Sequence, residues 1–343
     1  RSRFLYGISM IFSYINILTI FIYLNYIYYI MLSPTNISEY YIYDIFHNDN
    51  NNLIIIIPAE ISQPNIKYSN IDFTTHVDLH SCPNKYTYIY VSNTTINYKS
   101  NITLNINNNN VDVSVNKYPN LDNQIILSTM VKNEDNYIKQ WINYHHSIGI
   151  NKFIIYDNAG IDDKKSYCSI EKSSNLPLLL EEYIKNNIVI LIQWPYFKRL
   201  PNTGISGQTT QQNHTLYAFK KSKYIGFFDI DEYINMQNQT DINSFFDNLI
   251  KSKNINVSNI GNFHIKNKFF YNPNKMSTDG YNFLKIYNCN ETTTPKGHEK
   301  NFVIPKNVDV FANHQVTKGL AKYNVDPKDL YFNHYYFLNK EDR

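Results

Sequence analysis

The chain has 343 residues, a formal net charge of +3 and 15% aromatic residues, enough for one large catalytic domain and an appendage. Its densest basic groups, Lys164-Lys165 and Lys220-Lys221-Ser222-Lys223, are isolated and read as solvated surface, so no nucleic-acid partner is expected. Cys82, Cys168 and Cys289 have no zinc-ligand spacing; they allow one disulfide with a thiol left over, or three unlinked core cysteines.

Arg1 stands first instead of Met and the chain stops soon after a Tyr-rich run, as a fragment would. Residues 4–32 carry no charged side chain, and about 20 apolar residues suffice for a helix to cross a bilayer. Tyr23, Tyr26, Tyr28 and Tyr29 gather at the far end, Arg1 and Arg3 flank the near end, and no basic cluster follows Leu32. This asymmetry predicts an uncleaved transmembrane signal anchor over 4–32 and a single-pass type II membrane protein. The bulk would face the lumen of the Golgi or endoplasmic reticulum, or the endomembranes of a virus-infected host. A cleaved signal peptide is disfavoured by the length of the run and the lack of a small-x-small cleavage site. Asn36, Asn93, Asn101, Asn238, Asn256 and Asn290 fit Asn-x-Ser/Thr, which permits a secretory location without establishing it.

Residues 33–120 are polar and rich in Asn, with short β-like runs at 53–57, 87–91, 102–106 and 111–115. They predict a stem or small β-rich region without a chemical motif, with a turn at 107–110. From residue 121 onward strands alternate with helices. Strands are predicted at 125–130, 152–156, 189–193 and 224–230, and helices at 136–148, 178–185 and 209–221. Ile138, Trp141, Ile142, His145 and Ile148 share one face of the first helix. The alternation predicts an α/β domain over 121–343, a Rossmann-type, mostly parallel sheet flanked by helices. Ligands of such sheets sit beyond the carboxyl ends of the strands.

The polar residues fall on that rim. Lys132-Asn133-Glu134 follows the first strand, Asp157-Asn158 the second, Trp194-Pro195 the third and Asp229-Ile230-Asp231-Glu232 the fourth. Carboxylates spaced i, i+2 can hold a hard divalent cation through oxygen, which suits an enzyme handling a nucleotide diphosphate. No Gly-x-Gly-x-x-Gly follows the first strand and no Gly-Lys-Ser/Thr occurs, which disfavours a dinucleotide enzyme and a P-loop enzyme. Asp231, nearer the open rim, is the better direct metal ligand; Asp229 either meets a ribose or orients the metal's surroundings. Glu232 is an acid behind the ligands or a helix-starting charge. Asn133 and Glu134 either cap the next helix or meet a base or ribose, and Asp157 and Asn158 bind there or only turn the chain. His145 and His146 read as packing. Trp194 reads as core rather than a stacking platform. His334 in Tyr331-Phe332-Asn333-His334 is preferred over His314 as a late ligand completing the metal shell.

Ile126-Leu127-Ser128-Thr129-Met130-Val131-Lys132-Asn133-Glu134 with Tyr137-Ile138-Lys139-Gln140-Trp141 resembles the opening of glycosyltransferase family 92, which is close to the family 2 transferases. Phe153-Ile154-Ile155-Tyr156-Asp157-Asn158, Gln212-Asn213-His214, Phe228-Asp229-Ile230-Asp231-Glu232-Tyr233 and His334-Tyr335 continue the likeness in order over about residues 124–336. Between 261 and 310 it is loose, and that region is expected to choose the acceptor. The resemblance implies a GT-A fold, a divalent metal (Mn²⁺ or Mg²⁺), a UDP-sugar donor and inversion at the anomeric carbon. Asn133, Glu134, Asp157 and Asp229 would then serve the nucleotide, and Asp229, Asp231 and His334 the metal.

The expected function is therefore metal-dependent transfer of a sugar, galactose above all, from a UDP-sugar to a hydroxyl of a glycan or glycoprotein acceptor. The acceptor hydroxyl needs a carboxylate to take its proton; Asp279 is the first candidate, with Glu232 and Glu299 as alternatives. The competing expectations are a catalytically silent, membrane-anchored glycan-binding protein and a metal-dependent phosphohydrolase.

Overall fold

The computed structural model describes residues 29–32, 35–37, 40–59, 63–79, 86–132, 134–159, 174–194, 207–270, 298–312 and 314–335. Most of the expected anchor, the three cysteines, Asn133, Asp279 and Asn290 lie outside the described residues. The expected anchor helix does not reach Leu32. Tyr29–Met31 is a strand paired in parallel with Val189–Gln193, because its backbone completes a sheet edge, and Leu32 is buried beside it. No helix among the described residues is long and apolar enough to cross a membrane.

Strands β1 (Ile125–Val131), β2 (Lys152–Asp157), β3 (Val189–Gln193) and β4 (Tyr224–Phe227) form the parallel half of an eight-stranded sheet in the order β3-β2-β1-β4. Their near-continuous Ile, Leu, Val and Phe content follows from burial on both faces. Helix α1 (Asp135–Ser147) covers one face with Ile138, Trp141 and Ile142. It ends at Gly149, whose φ of +96° lets the chain turn back, and whose missing Cβ leaves room for Asp241. Helix α2 (Gly207–Ala218) covers the other face. The helix expected over 178–185 is broken into Leu176–Leu179 and Glu181–Lys185.

The strand expected over 224–230 stops at Phe227. The chain then turns, with Glu232 N–H donating to the Asp229 carbonyl at 3.1 Å, and enters β5 (Glu232–Met236) of a second sheet. Helix α3 (Ile242–Ser252) follows, capped by the Asp241 carboxylate on Ser244 N at 2.8 Å. Strands β6 (Ile260–Ile265), β7 (Asn267–Phe270), β8 (Lys300–Val303) and β9 (Leu330–Tyr335) complete the two sheets. Strand β8 pairs antiparallel to β4 and to β6, and Ala321–Asn324 closes that edge. In the small sheet, β9 lies between β5, antiparallel, and β7, parallel. The molecule is thus mixed α/β and richer in strands than the sequence alternation suggests.

The regular elements described between residues 40 and 117 are all strands. Asp44–His47, Leu53–Ala59, Tyr86–Ser92, Phe73–Leu79 and Asn116–Lys117 make a five-stranded sheet, and Ile66–Lys67, Asn101–Ile106 and Asn109–Ser114 a three-stranded one. Asn107 and Asn108, with φ of 49° and 69°, form the two-residue turn of the last hairpin. Leu53, Ile55 and Ile57 face the three-stranded sheet, while Ile54 and Ile56 face the α2 side of the large sheet. The run of isoleucines is therefore the middle of a sandwich, buried on both faces.

Polar groups cross this contact. Asp44 accepts from Asn116 Nδ2 at 2.7 Å, from Tyr118 Oη, and from Nε2 of His214 at 2.7 Å. His214 Nδ1 meets Tyr156 Oη at 2.6 Å, and Thr215 Oγ1 donates to the same oxygen at 3.0 Å. Asp44, Tyr118, Tyr156, His214 and Thr215 are all buried. Asp44→Ala strands several buried donors, so it should lower unfolding free energy by roughly 3 kcal/mol, measured by denaturant unfolding at neutral pH.

Candidate active site

Four chain segments converge at the carboxyl edge of the parallel strands. Asp229 and Asp231 stand on the turn between β4 and β5, Glu232 opens β5, and His334 lies directly opposite Glu232 in β9. Tyr335 N–H donates to the Asp231 carbonyl at 2.8 Å and locks the turn against β9. His334 Nε2 stands 3.5 Å from Asp231 Oδ2, and its Nδ1 3.6 Å from Glu232 Oε1. One ligand atom from each of Asp231, Glu232 and His334 falls within 4.8 Å of the others. Octahedral ligands at about 2.1 Å from an ion span up to about 4.2 Å, so a shift of a few tenths of an ångström would close the three on a divalent cation. Glu232 Oε1 is buried and accepts no hydrogen bond among the described residues, which leaves it a lone pair to offer.

Asp229 is turned elsewhere. Its Oδ1 accepts from Gln208 Nε2 at 2.9 Å and its Oδ2 pairs with Lys300 Nζ at 2.6 Å. Lys300, 2% exposed at its side chain, also reaches Glu232 Oε2 at 3.0 Å, and Asp229 N–H donates to that oxygen at 2.9 Å. Burial opposes ionisation of Asp229, but Lys300 outweighs it and holds the carboxyl below its ordinary range. At Glu232 burial dominates and pushes the carboxyl up to about 7 despite Lys300. Lys300 itself is also buried, yet Asp229 and Glu232 raise its pKa. For His334 burial works downward, but the hydrogen bond to Asp231 and the Glu232 charge prevail and raise it.

Further imidazoles border this cluster. His298 has its ring 5.9 Å from His334 and 6.3 Å from His314. His314 Nδ1 donates to the Glu299 carbonyl at 2.9 Å, and burial followed by the Lys300 charge lowers its pKa. Glu299 is half-buried. Asp157, at the end of β2, is buried with Oδ1 on Ala159 N at 3.0 Å, and burial raises its pKa. Asn158 Nδ2 donates to the Trp194 carbonyl at 2.8 Å, and Trp194 is core, ringed by Tyr43, Tyr156 and His214. Glu134 stands at the N-cap of α1 without a side-chain capping bond. Asp157 and Glu134 thus share the rim with the acidic turn, while Asp231, Glu232 and His334 alone form its ligand cluster among the described residues.

The profile of glycosyltransferase family 92 matches residues 125–342, which include Asp157, Asp229, Asp231, Glu232, Lys300 and His334. The chain belongs to glycosyltransferase family 92. A family 92 protein of Ricinus communis is 22% identical over 217 residues, 62% of this chain and 35% of that protein. Family 92 proteins of Oryza sativa and Arabidopsis thaliana are 28% and 26% identical over 33% and 34% of the chain, and over 16% and 17% of their own lengths. The chain therefore matches about a third or less of these curated relatives. Among solved structures, the bifunctional glycosyltransferase WbbM in its apo form aligns with 46% of this chain and 26% of its own, at 12% identity and a TM-score of 0.27.

Lys300 and His298 in this family 92 chain were not among the sequence candidates. The available signal was a lysine opening the apolar run Lys300-Asn301-Phe302-Val303-Ile304, since a charge entering a buried strand needs a partner.

His145 is held neutral on α1: Nδ1 donates to the Trp141 carbonyl at 2.9 Å, Nε2 accepts from Ile234 N at 3.3 Å, and burial lowers its pKa from 6.5 to about 3. Its contribution to stability is complete above about pH 6.5 and is lost as pH falls toward 3. Between pH 7 and 5 the loss from this group should be about 2 kcal/mol. His145→Gln should flatten that part of the stability profile by the same amount, read from denaturant unfolding at both pH values.

Proposed function

We propose that this chain is a metal-dependent, inverting glycosyltransferase of GT-A fold that moves a hexose, galactose above all, from a UDP-sugar to a hydroxyl of a glycan acceptor. The observation that carries this reading is the convergence of Asp231, Glu232 and His334 at the carboxyl edge of a parallel sheet in a family 92 chain. Their oxygen and imidazole donors suit Mn²⁺ or Mg²⁺. Such an ion, when bound, acts as a Lewis acid toward the charge that develops on a departing diphosphate.

The protein's own residues do the rest. Asp231 offers a partly exposed carboxylate, and Glu232 and His334 hold the buried side of the site. In this reading Asp157 and Glu134, on the rim after β2 and β1, meet the uridine. The acceptor oxygen attacks the anomeric carbon from the face opposite the diphosphate, its new C–O bond forming as the bond to the diphosphate oxygen breaks. Glu232 does not suit the base for that step. It is fully buried and its Oε2 is taken by Lys300 and Asp229 N–H, so an acceptor hydroxyl cannot reach it. The hydroxyl proton then goes to Asp279 or Glu299. Lys300 also weighs against the phosphohydrolase reading, because its ammonium fills the space between Asp229 and Glu232 that a second metal would need.

The described sequon asparagines Asn93, Asn101, Asn238 and Asn256 are all exposed. They would be open to glycosylation in the lumenal location that the reading includes, with an anchor ahead of residue 29.

UDP should raise the melting temperature of the full chain only when Mn²⁺ is present, and Asp231→Asn should abolish that rise while leaving the far-ultraviolet spectrum native. With UDP-galactose and a glycan array, Asp231→Asn should lose at least about 100-fold in transfer rate, corresponding to several kcal/mol of charge stabilisation. Equal stabilisation by UDP with a chelator present would refute the assignment.

A further inference from the structure

Resting on the reading that Asp231, Glu232 and His334 hold a divalent cation, we infer that Lys300 is a positioning residue that fixes which oxygen of Glu232 faces the ion. The Glu232 carboxylate is divided between two tasks. Oε2 receives Lys300 Nζ at 3.0 Å and Asp229 N–H at 2.9 Å, while Oε1 faces His334 and has no hydrogen-bond donor among the described residues. Without the ammonium, the hydrogen bonding of Oε2 among the described residues falls to one backbone N–H, and the carboxylate is less firmly held with Oε1 toward His334. The same ammonium draws Asp229 away from the cluster, at 2.6 Å.

Lys300 is well placed for this because its own backbone cannot drift. It opens β8, where it pairs with Ile265 of β6, and its side chain is 2% exposed. A flexible surface lysine would give no such constraint, since an exposed pair is worth little and exchanges freely with water. Partners that orient a metal ligand are worth roughly 10- to 100-fold in metal affinity. The sign of the effect separates two roles. If Lys300 acted only as a positive charge near the site, removing it would tighten cation binding. If it positions Glu232, removing it weakens binding.

The test titrates Mn²⁺ into the nucleotide-free full chain and reads free Mn²⁺ by electron paramagnetic resonance, well below the melting temperature. Lys300→Met should bind Mn²⁺ roughly 10- to 100-fold more weakly than wild type. In a Glu232→Gln background it should have almost no further effect, because the oxygen it positions is already gone. Lys300→Gln, which keeps one donor for one oxygen, serves if the methionine variant does not fold, and should also weaken binding. Unchanged or tighter Mn²⁺ binding in the folded Lys300 variants overturns the inference and leaves the metal reading intact. Losses that multiply in the double variant overturn it too. Failure of the wild type to bind Mn²⁺ overturns both.

Discussion

Helix α2 is the constraint on which the rest of the architecture depends. Gln208, Thr209, Thr210, Gln211, Gln212, Asn213, His214 and Thr215 follow one another along it, and all but Gln208 are buried. A polar helix buried all round holds only if its side chains find partners, since each unmet group costs a few kcal/mol. The partners come from every neighbour. Gln211 donates to Ser128 of β1, Asn213 clamps both backbone atoms of Phe311, Thr210 meets Thr87, and His214 reaches Asp44. The large sheet, the Val308–Ala312 strand and the amino-terminal sandwich are thus tied to one another through α2. The same helix sends Gln208 to Asp229 and so touches the candidate site directly.

This arrangement makes the amino-terminal strands part of the packing that surrounds the site. Tyr43, Phe46, Ile54, Ile56 and Ile89 share a core with Ile154, Tyr156, Ile190 and Ile192 of the parallel strands and with Trp194 just after β3. A tethering stem would be expected to contact the domain it carries weakly. Here hydrophobic burial supplies the attraction, and the Asp44–His214–Tyr156 chain fixes the alignment, because a shifted sandwich would leave a carboxylate and two phenols buried and unmet.

The alternation of strands and helices after residue 125 was legible because period-2 and period-3.6 patterns survive wherever one face packs on a core. The rim was legible for the same reason, since polar residues at strand ends stand out against the apolar runs preceding them. Three things were hidden. The Phe228–Asp231 turn looked like strand because Phe228 and Ile230 are buried on either side of Asp229, and apolar spacing alone does not reveal that the chain has changed sheets. Lys300 was hidden because a lysine opening an apolar run signals only that a partner is needed, and nothing local says which remote carboxylates supply it. The β-rich character of residues 40–117 could be read, but its intimacy with the sheet could not: Ile54 and Ile55 are identical in sequence yet face opposite layers.

Register decides whether the candidate site exists at all. Glu232 and His334 are brought together by the antiparallel pairing of β5 with β9, and in a strand a slip of one residue sends a side chain to the opposite face. The pairing is pinned independently of the site. Phe332 and Leu330 alternate inward with His334, Tyr335 N–H holds the Asp231 carbonyl, and Trp141 Nε1 and Tyr144 Oη of α1 donate to the carbonyls of Glu232 and Ile234 at 3.0 and 2.6 Å. The fold therefore sets the spacing of Asp231, Glu232 and His334 through contacts of its own, and the Lys300 ammonium from a third strand offsets part of the burial of Glu232.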